Sequence, residues 1–239
     1  MLLLETEKAI REFVNITLLL SCDRMLLNPN QREKLDPSND ALFYEQPRFV
    51  THVDEGFIQQ LTDLYRDRLK PNSRIFDMMS SWVSHLPDDV QFEHVEGHGL
   101  NGEELARNSR LNHYFVQNLN LDPKLPLPDQ SFDAVLNTVS VQYVQYPEAI
   151  FNEIHRILKP GGIAVVSFSN RMFYQKAIAA WRDGAERDRV ELVKNYFKAV
   201  PGFSQPEVIV KQSQTPPVLQ LFGMSGGDPF YAVIATRVD

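Results

Sequence analysis

Between Phe132 and Phe168 the chain runs through an apolar stretch, a helical pattern and a second apolar stretch, and that order leaves few folds open. Phe132-Asp133-Ala134-Val135-Leu136-Asn137 reads as a strand. Pro147 then opens a helix at the position where its missing N–H is harmless. Ile150, Phe151, Ile154, Ile157 and Leu158 fall on one face of it, and Lys159-Pro160-Gly161-Gly162 reads as its end. Ile163-Ala164-Val165-Val166-Ser167-Phe168 follows without a polar interruption until Ser167. A continuous apolar run of that length suits a strand covered on both faces, as in parallel sheets. Two strands joined through a helix make a parallel crossover unit.

The rest of the chain repeats the alternation. Strand candidates are Arg74-Ile75-Phe76-Asp77, the period-two run from Val90 to Glu96, His113-Tyr114-Phe115-Val116-Gln117, Glu207-Val208-Ile209-Val210, and Phe230 to Ala235. A helix is expected from a capping box at Thr51-His52-Val53-Asp54 through Leu69, stopped by Pro71 and Asn72. Asn101-Gly102-Glu103-Glu104 opens a short helix with its own capping box, and two more helices are expected over 171–182 and 185–199. Alternating strands and helices imply a mainly parallel sheet with helices on both faces. Ligands in such sheets bind at the carboxyl ends of strands, which here means residues 77–82, 97–101, 118–120 and 137–143.

Composition narrows the function. The 239 residues are 43 % hydrophobic and 23 % charged, with a net charge of −7. An acidic chain argues against binding a nucleic-acid backbone. Its single cysteine, Cys22, excludes a disulfide framework within the chain and a multi-cysteine zinc site, and fits a reducing, cytoplasmic-type compartment. No apolar run reaches membrane-span length. Leu18-Leu19-Leu20-Ser21-Cys22 has the outline of a lipoprotein cleavage site, but Glu5, Glu7, Glu12 and Asn15 before it favour an amphipathic helix over 3–20. The 11 glycines are few, and none lies between Phe57 and Glu96.

Leu127-Pro128-Asp129-Gln130-Ser131-Phe132-Asp133-Ala134-Val135, followed by Glu153-Ile154-His155-Arg156-Ile157-Leu158-Lys159-Pro160-Gly161-Gly162, resembles the second half of the class I S-adenosylmethionine-dependent methyltransferases of the type 11 subgroup. The resemblance covers about residues 73–170. The run Asp77-Met78-Met79-Ser80-Ser81-Trp82-Val83-Ser84-His85-Leu86-Pro87 resembles a narrower branch found in cyanobacteria and plastids. The resemblance implies an α/β three-layer sandwich with a seven-stranded, mainly parallel sheet whose last strand is antiparallel. Residues 1–70 are expected as an N-terminal helical extension and possible lid, and 71–239 as the methyltransferase-like domain.

The resemblance also implies S-adenosylmethionine as cofactor and a small-molecule acceptor, while charge and hydropathy lead to the expectation of no nucleic-acid or membrane partner. The first strand of that family leads into D-x-G-x-G-x-G, whose glycines supply backbone angles other residues avoid. Here Asp77 keeps the acid, but the glycine positions hold Met79, Ser81 and Val83. Gly99 stands where the family has the acid that takes the ribose hydroxyls. Asn118, followed by Leu119, stands where an Asp receives the adenine amine. The cofactor positions are thus Asp77, Ser80, Ser81, Trp82, Gly99, Asn118, Leu119, Asn137 and Ser140. A rebuilt cofactor loop is one reading. The other is a non-catalytic fold that binds a ligand or a protein partner.

His85, His98 and Tyr143 are the catalytic candidates, the two histidines as general bases. His85, His94 and His98 lack carboxylates at metal-ligand spacing, so no metal is expected. Tyr44, Arg48 and His52 would face the ligand if 44–54 covers the site. Ser169 or Asn170 is expected to cap a helix, and 225–229 to turn into the last strand.

Overall fold

The computed structural model describes residues 25–211 and 227–239. The N-terminal helix and lipoprotein readings, and residues 225 and 226 of the 225–229 turn, lie outside the described residues. Seven strands form one sheet: β1 (Arg74–Met78), β2 (His94–Gly99), β3 (His113–Val116), β4 (Phe132–Thr138), β5 (Leu158–Phe168), β6 (Glu207–Lys211) and β7 (Phe230–Thr236), in the order β3-β2-β1-β4-β5-β7-β6. Strands β1 to β5 pair in parallel, and β7 runs antiparallel between β5 and β6. The expected sheet, with its last strand reversed, is the one observed.

Among the described residues the helices are α1 (Pro29–Arg32), α2 (Asp40–Phe43), α3 (Glu55–Arg68), α4 (Gly102–Arg107), α5 (Pro147–Ile157), α6 (Ala179–Arg182) and α7 (Glu186–Lys198). Neighbouring strand residues point to opposite faces, and the core divides accordingly. Ile75, Leu136, Val165 and Ala232 meet Phe57, Leu61 and Tyr65 of α3. Phe76, Val135, Val166 and Val233 meet Ile150, Phe151 and Ile154 of α5 and Val193 and Phe197 of α7. The result is three layers. Among the described residues no helix is long and apolar enough to cross a membrane.

Several boundaries differ from the sequence reading. Asp54, not Thr51, caps α3, its carboxylate accepting from the Phe57 amide. Strand β2 begins at His94; the stretch from Val90 is held by side-chain and loop contacts instead, including Arg110 Nη2 to the Val90 carbonyl. Lys159 to Gly162 are already part of β5, with Gly161 at φ +80° and its amide on the Arg237 carbonyl. The helix expected over 171–182 is only the single turn α6; Ser169 Oγ accepts from the Arg171 amide in a turn, and no helix follows there.

One connection is unusual. A parallel crossover is ordinarily helical, yet residues 79–93, between β1 and β2, contain no helix. Hydrogen bonds pin this irregular chain along its length: Thr62 Oγ1 donates to the His85 carbonyl, and Arg110 Nη2 to the carbonyls of Pro87 and Val90. The segment that resembles the family's cofactor loop is therefore fixed on both sides.

Candidate active site

The carboxyl ends of β1, β2, β3 and β4 open into a cavity of about 330 Å³, within the size range of small-ligand sites. Its remaining walls are the segment from Asp40 to Val53 and residues 171–173. Asp77, Ser80, Ser81, Trp82, Gly99, Asn118, Leu119, Ser140, His85, His98 and Tyr143 all line it, as do Tyr44, Arg48 and His52. Asn137 does not. It points to the other side of β4, fully buried, its Nδ2 at 3.5 Å from the Met78 carbonyl. The cofactor role expected for it is withdrawn, because alternation along the strand turns its neighbour Thr138 to the cavity instead.

The loop after β1 turns through left-handed backbone without glycine. Met79, expected at the first glycine position, adopts φ +57°. His85 and Val139, both cavity residues, have φ +54° and +49°. Left-handed backbone costs a non-glycine residue roughly 1–2 kcal/mol, and it is least expected of a β-branched valine. Such strain gathers at functional sites. Of the five non-glycine residues with positive φ among the described residues, three line this cavity.

Asp77 is buried beneath that loop. Its Oδ2 accepts from Ser80 Oγ at 2.5 Å and Ser84 Oγ at 2.6 Å. Ser84 Oγ also accepts from Asn108 Nδ2 at 2.8 Å. Burial pushes the Asp77 carboxyl up to about 6, with the two serine hydroxyls pulling the other way. Trp82 forms part of the cavity wall, its Nε1 donating to the Val50 carbonyl at 3.1 Å, so the indole ties the loop to the segment from Asp40 to Val53.

His98 is a strut. Its Nδ1 accepts from the Met79 amide at 3.1 Å, and its Nε2 lies 2.9 Å from the Gln117 carbonyl. An amide can only donate and a carbonyl can only accept, so the ring is neutral with its proton on Nε2. Burial lowers it to about 4. With both nitrogens engaged it has no lone pair for a substrate proton, and the general-base role expected for it is corrected on that ground. His85 is lowered by burial too, and its ring makes no hydrogen bond to the described residues. Tyr143 Oη accepts from the Phe173 amide at 2.8 Å, and burial raises it to about 12, which disfavours a base role there.

At the second family position the structure gives a clear reason for glycine. A Cβ on Gly99 would stand 2.6 Å from the Ser80 carbonyl oxygen, because the loop folds onto the end of β2 with the Ser80 amide on the His98 carbonyl. An acid at 99 has no room. The missed residue is Glu104 in the first turn of α4. Asn101 forms its half of the expected capping box, accepting from the amides of Glu103 and Glu104. The Glu104 carboxylate turns into the cavity instead, where Oε1 accepts from the Arg48 amide at 2.6 Å and Oε2 from Ser81 Oγ at 2.5 Å. In the sequence Glu104 carried only a helix-start signal. Asn118 Oδ1 accepts from the Asn120 amide, which leaves it one lone pair.

Residues 94–166 match the model of the methyltransferase domain family. A sterol 24-C-methyltransferase of Schizosaccharomyces pombe is 31 % identical over 109 residues, 41 % of this chain and 28 % of the relative. A malonyl-[acyl-carrier protein] O-methyltransferase of a Marinomonas strain is 34 % identical over 58 residues, 24 % of this chain and 22 % of the relative. The chain thus spans under a third of the length of these relatives. Among solved structures, a chain of the complex between the Haloferax volcanii Trm112 methyltransferase activator and a methyltransferase superposes with a TM-score of 0.54 at 15 % identity, over 77 % of this chain and 95 % of that one. The [4+2]-cyclase SpnF superposes with a TM-score of 0.53 at 18 % identity, over 75 % and 80 %. At such identities the structural likeness establishes the fold alone. On these grounds the chain is a class I methyltransferase-fold protein whose residues 94–166 match the methyltransferase domain family.

Proposed function

We propose that the protein is an S-adenosylmethionine-dependent methyltransferase with a rebuilt cofactor site, acting on a small-molecule acceptor. The observation that carries this is the cavity at the ends of β1 to β4, with Met79 still holding the left-handed backbone of the family's first glycine. The donors and acceptors present suit the cofactor. Glu104, whose oxygens retain lone pairs beyond the two hydrogen bonds they accept, takes over the ribose hydroxyls that Gly99 cannot serve. The free lone pair of Asn118 Oδ1 takes the adenine amine, and Trp82 offers a flat wall. When bound, the cofactor supplies an electrophilic methyl group on a sulfonium. The protein's task is alignment and exclusion of water, and the segment from Asp40 to Val53 serves as the cover. The activities of the matched relatives support this reading without fixing the acceptor.

A second reading, a ligand-binding protein that performs no transfer, draws on the contact between Gly99 and the Ser80 carbonyl, which closes the usual ribose position. Tryptophan fluorescence tests the first. The chain has two tryptophans, Trp82 in the cavity wall and Trp181, which is fully buried. S-adenosylmethionine should change the emission saturably in the wild type and not in Trp82→Phe. An unchanged spectrum at millimolar cofactor counts against the cofactor site.

A further inference from the structure

Arg48 is an uncompensated cation in the cavity wall. Arg171, the other arginine there, is paired with Asp228 at 2.7 Å. The carboxylate of Asp40 is held by Lys34 at 2.6 Å and Lys176 at 3.5 Å. Glu104 is engaged by the Arg48 backbone amide, not by its guanidinium. Among the described residues, no carboxylate lies within ion-pair distance of the Arg48 side chain. Of its five N–H groups, one, on Nη2, donates to the Phe43 carbonyl at 2.9 Å, while Nη1 is shut off from water with no partner. A buried donor left unpaired costs about 1–3 kcal/mol, more when charged.

The surroundings say what kind of partner is missing. The guanidinium carbon lies 4.6 Å from the Phe43 ring centroid, 5.4 Å from Phe173 and 5.7 Å from Tyr44. Phe173 stacks in turn on Tyr143, at 6.1 Å between centroids. These rings hold the guanidinium in place and make the nearby wall apolar. They also locate the guanidinium beside the segments that follow β4 and β5, whereas Gly99 ends β2, Asn118 follows β3, and Glu104 of α4 meets only the Arg48 backbone. A second orphan sits in the same half: Ser140 Oγ, buried, lining the cavity and without a hydrogen-bond partner.

We infer that the acceptor is an organic anion, a carboxylate or phosphate ester on a flat apolar body, whose charged group pairs with the Arg48 guanidinium and accepts from Ser140 Oγ. A planar guanidinium suits bidentate pairing with either group, and the ring cluster of Tyr44, Tyr143 and Phe173 receives the apolar body. This rests on the methyltransferase reading for the word acceptor, while the anion site itself rests on Arg48 and Ser140 alone.

Ligand-observed NMR with phenylacetate, phenyl phosphate and the neutral isostere phenylacetamide tests it, on the full chain with and without saturating S-adenosylhomocysteine. At least one of the two anions should bind at least fivefold more tightly than the amide, and which one does so separates carboxylate from phosphate. Arg48→Met should abolish that preference. Arg48→Lys, which keeps the charge but not the fork, should retain part of it, and circular dichroism confirms that both variants fold. Saturating S-adenosylhomocysteine should leave anion binding within twofold. Equal binding of anion and amide overturns the inference. So does an Arg48→Met effect that weakens S-adenosylhomocysteine tenfold and leaves the anions untouched, since Arg48 would then hold the cofactor's own carboxylate. If S-adenosylhomocysteine fails to bind but the Arg48-dependent anion preference persists, the methyltransferase reading fails and the anion site stands.

Discussion

Replacing Asp77 with asparagine should stabilise the protein above pH 6 and do little near pH 4. Asp77 is buried at the end of β1 and titrates near 6 in the fold, against 3.8 for a free carboxyl. A raised folded-state value means that the fold disfavours the charged form. Its contribution to stability is therefore fully present below pH 3.8 and lost as pH rises through 6. The shift of roughly 2 units corresponds to about 3 kcal/mol at neutral pH. Both serine hydroxyls donate to one oxygen, Oδ2, and an asparagine oxygen placed there can accept both. Asp77→Asn should thus gain about 3 kcal/mol at pH 7.5, or roughly 6–12 °C in Tm for a chain of this size. His98 works in the opposite sense. It is lowered from 6.5 to about 4, so its contribution is present above pH 6.5 and lost as pH falls toward 4. In the wild type the two changes largely cancel between pH 4 and 6.5. Asp77→Asn should expose the His98 slope of about 1.4 kcal/mol per pH unit. Urea unfolding of both proteins from pH 4 to 8 reads this directly. A variant less stable than wild type at pH 7.5, or a gain that does not shrink toward pH 4, refutes the reasoning about Asp77.

Gly99→Ala should destabilise by about 1–3 kcal/mol through the clash with the Ser80 carbonyl, and Gly99→Asp, although it restores the family's acid, should weaken cofactor binding as well; chemical denaturation and calorimetry check the pair. Glu104→Gln should lower S-adenosylhomocysteine affinity about tenfold, near 1.4 kcal/mol, with unchanged circular dichroism. His98→Ala should lower stability by about 2–4 kcal/mol, since it leaves the Met79 amide and Gln117 carbonyl unpaired; no ionisation of His98 should appear in an activity–pH profile between 5 and 9.

The fold was legible because its signals are local and periodic. The apolar face from Ile150 to Leu158 and the run from Ile163 to Phe168 name a helix and a doubly covered strand without any knowledge of the remainder. The helix expected over 171–182 failed because Met172, Phe173 and Ala177 are apolar at helical spacing for a different reason. They pack a loop, and Lys176 is anchored there on Asp36 and Ser38 by residues far away in sequence. The site was half legible. Residues after the strand ends line the cavity, as topology alone implies, and Asn137 falls outside it by one step of strand alternation. Glu104 stayed hidden because a helix-start glutamate is ordinary until a fold brings it to a cavity; Arg48 was legible as a ligand-facing residue, but its lack of a carboxylate partner shows only in the fold. The missing glycines carried the most information, since the angle they would supply is present at Met79 without them.

Isothermal titration calorimetry of the full chain with S-adenosylhomocysteine tests the central claim most directly. The account predicts saturable one-site binding with Kd of roughly 10 μM, about −7 kcal/mol, weakened in Glu104→Gln. No measurable heat up to about 1 mM ligand, from protein that unfolds cooperatively, would contradict it.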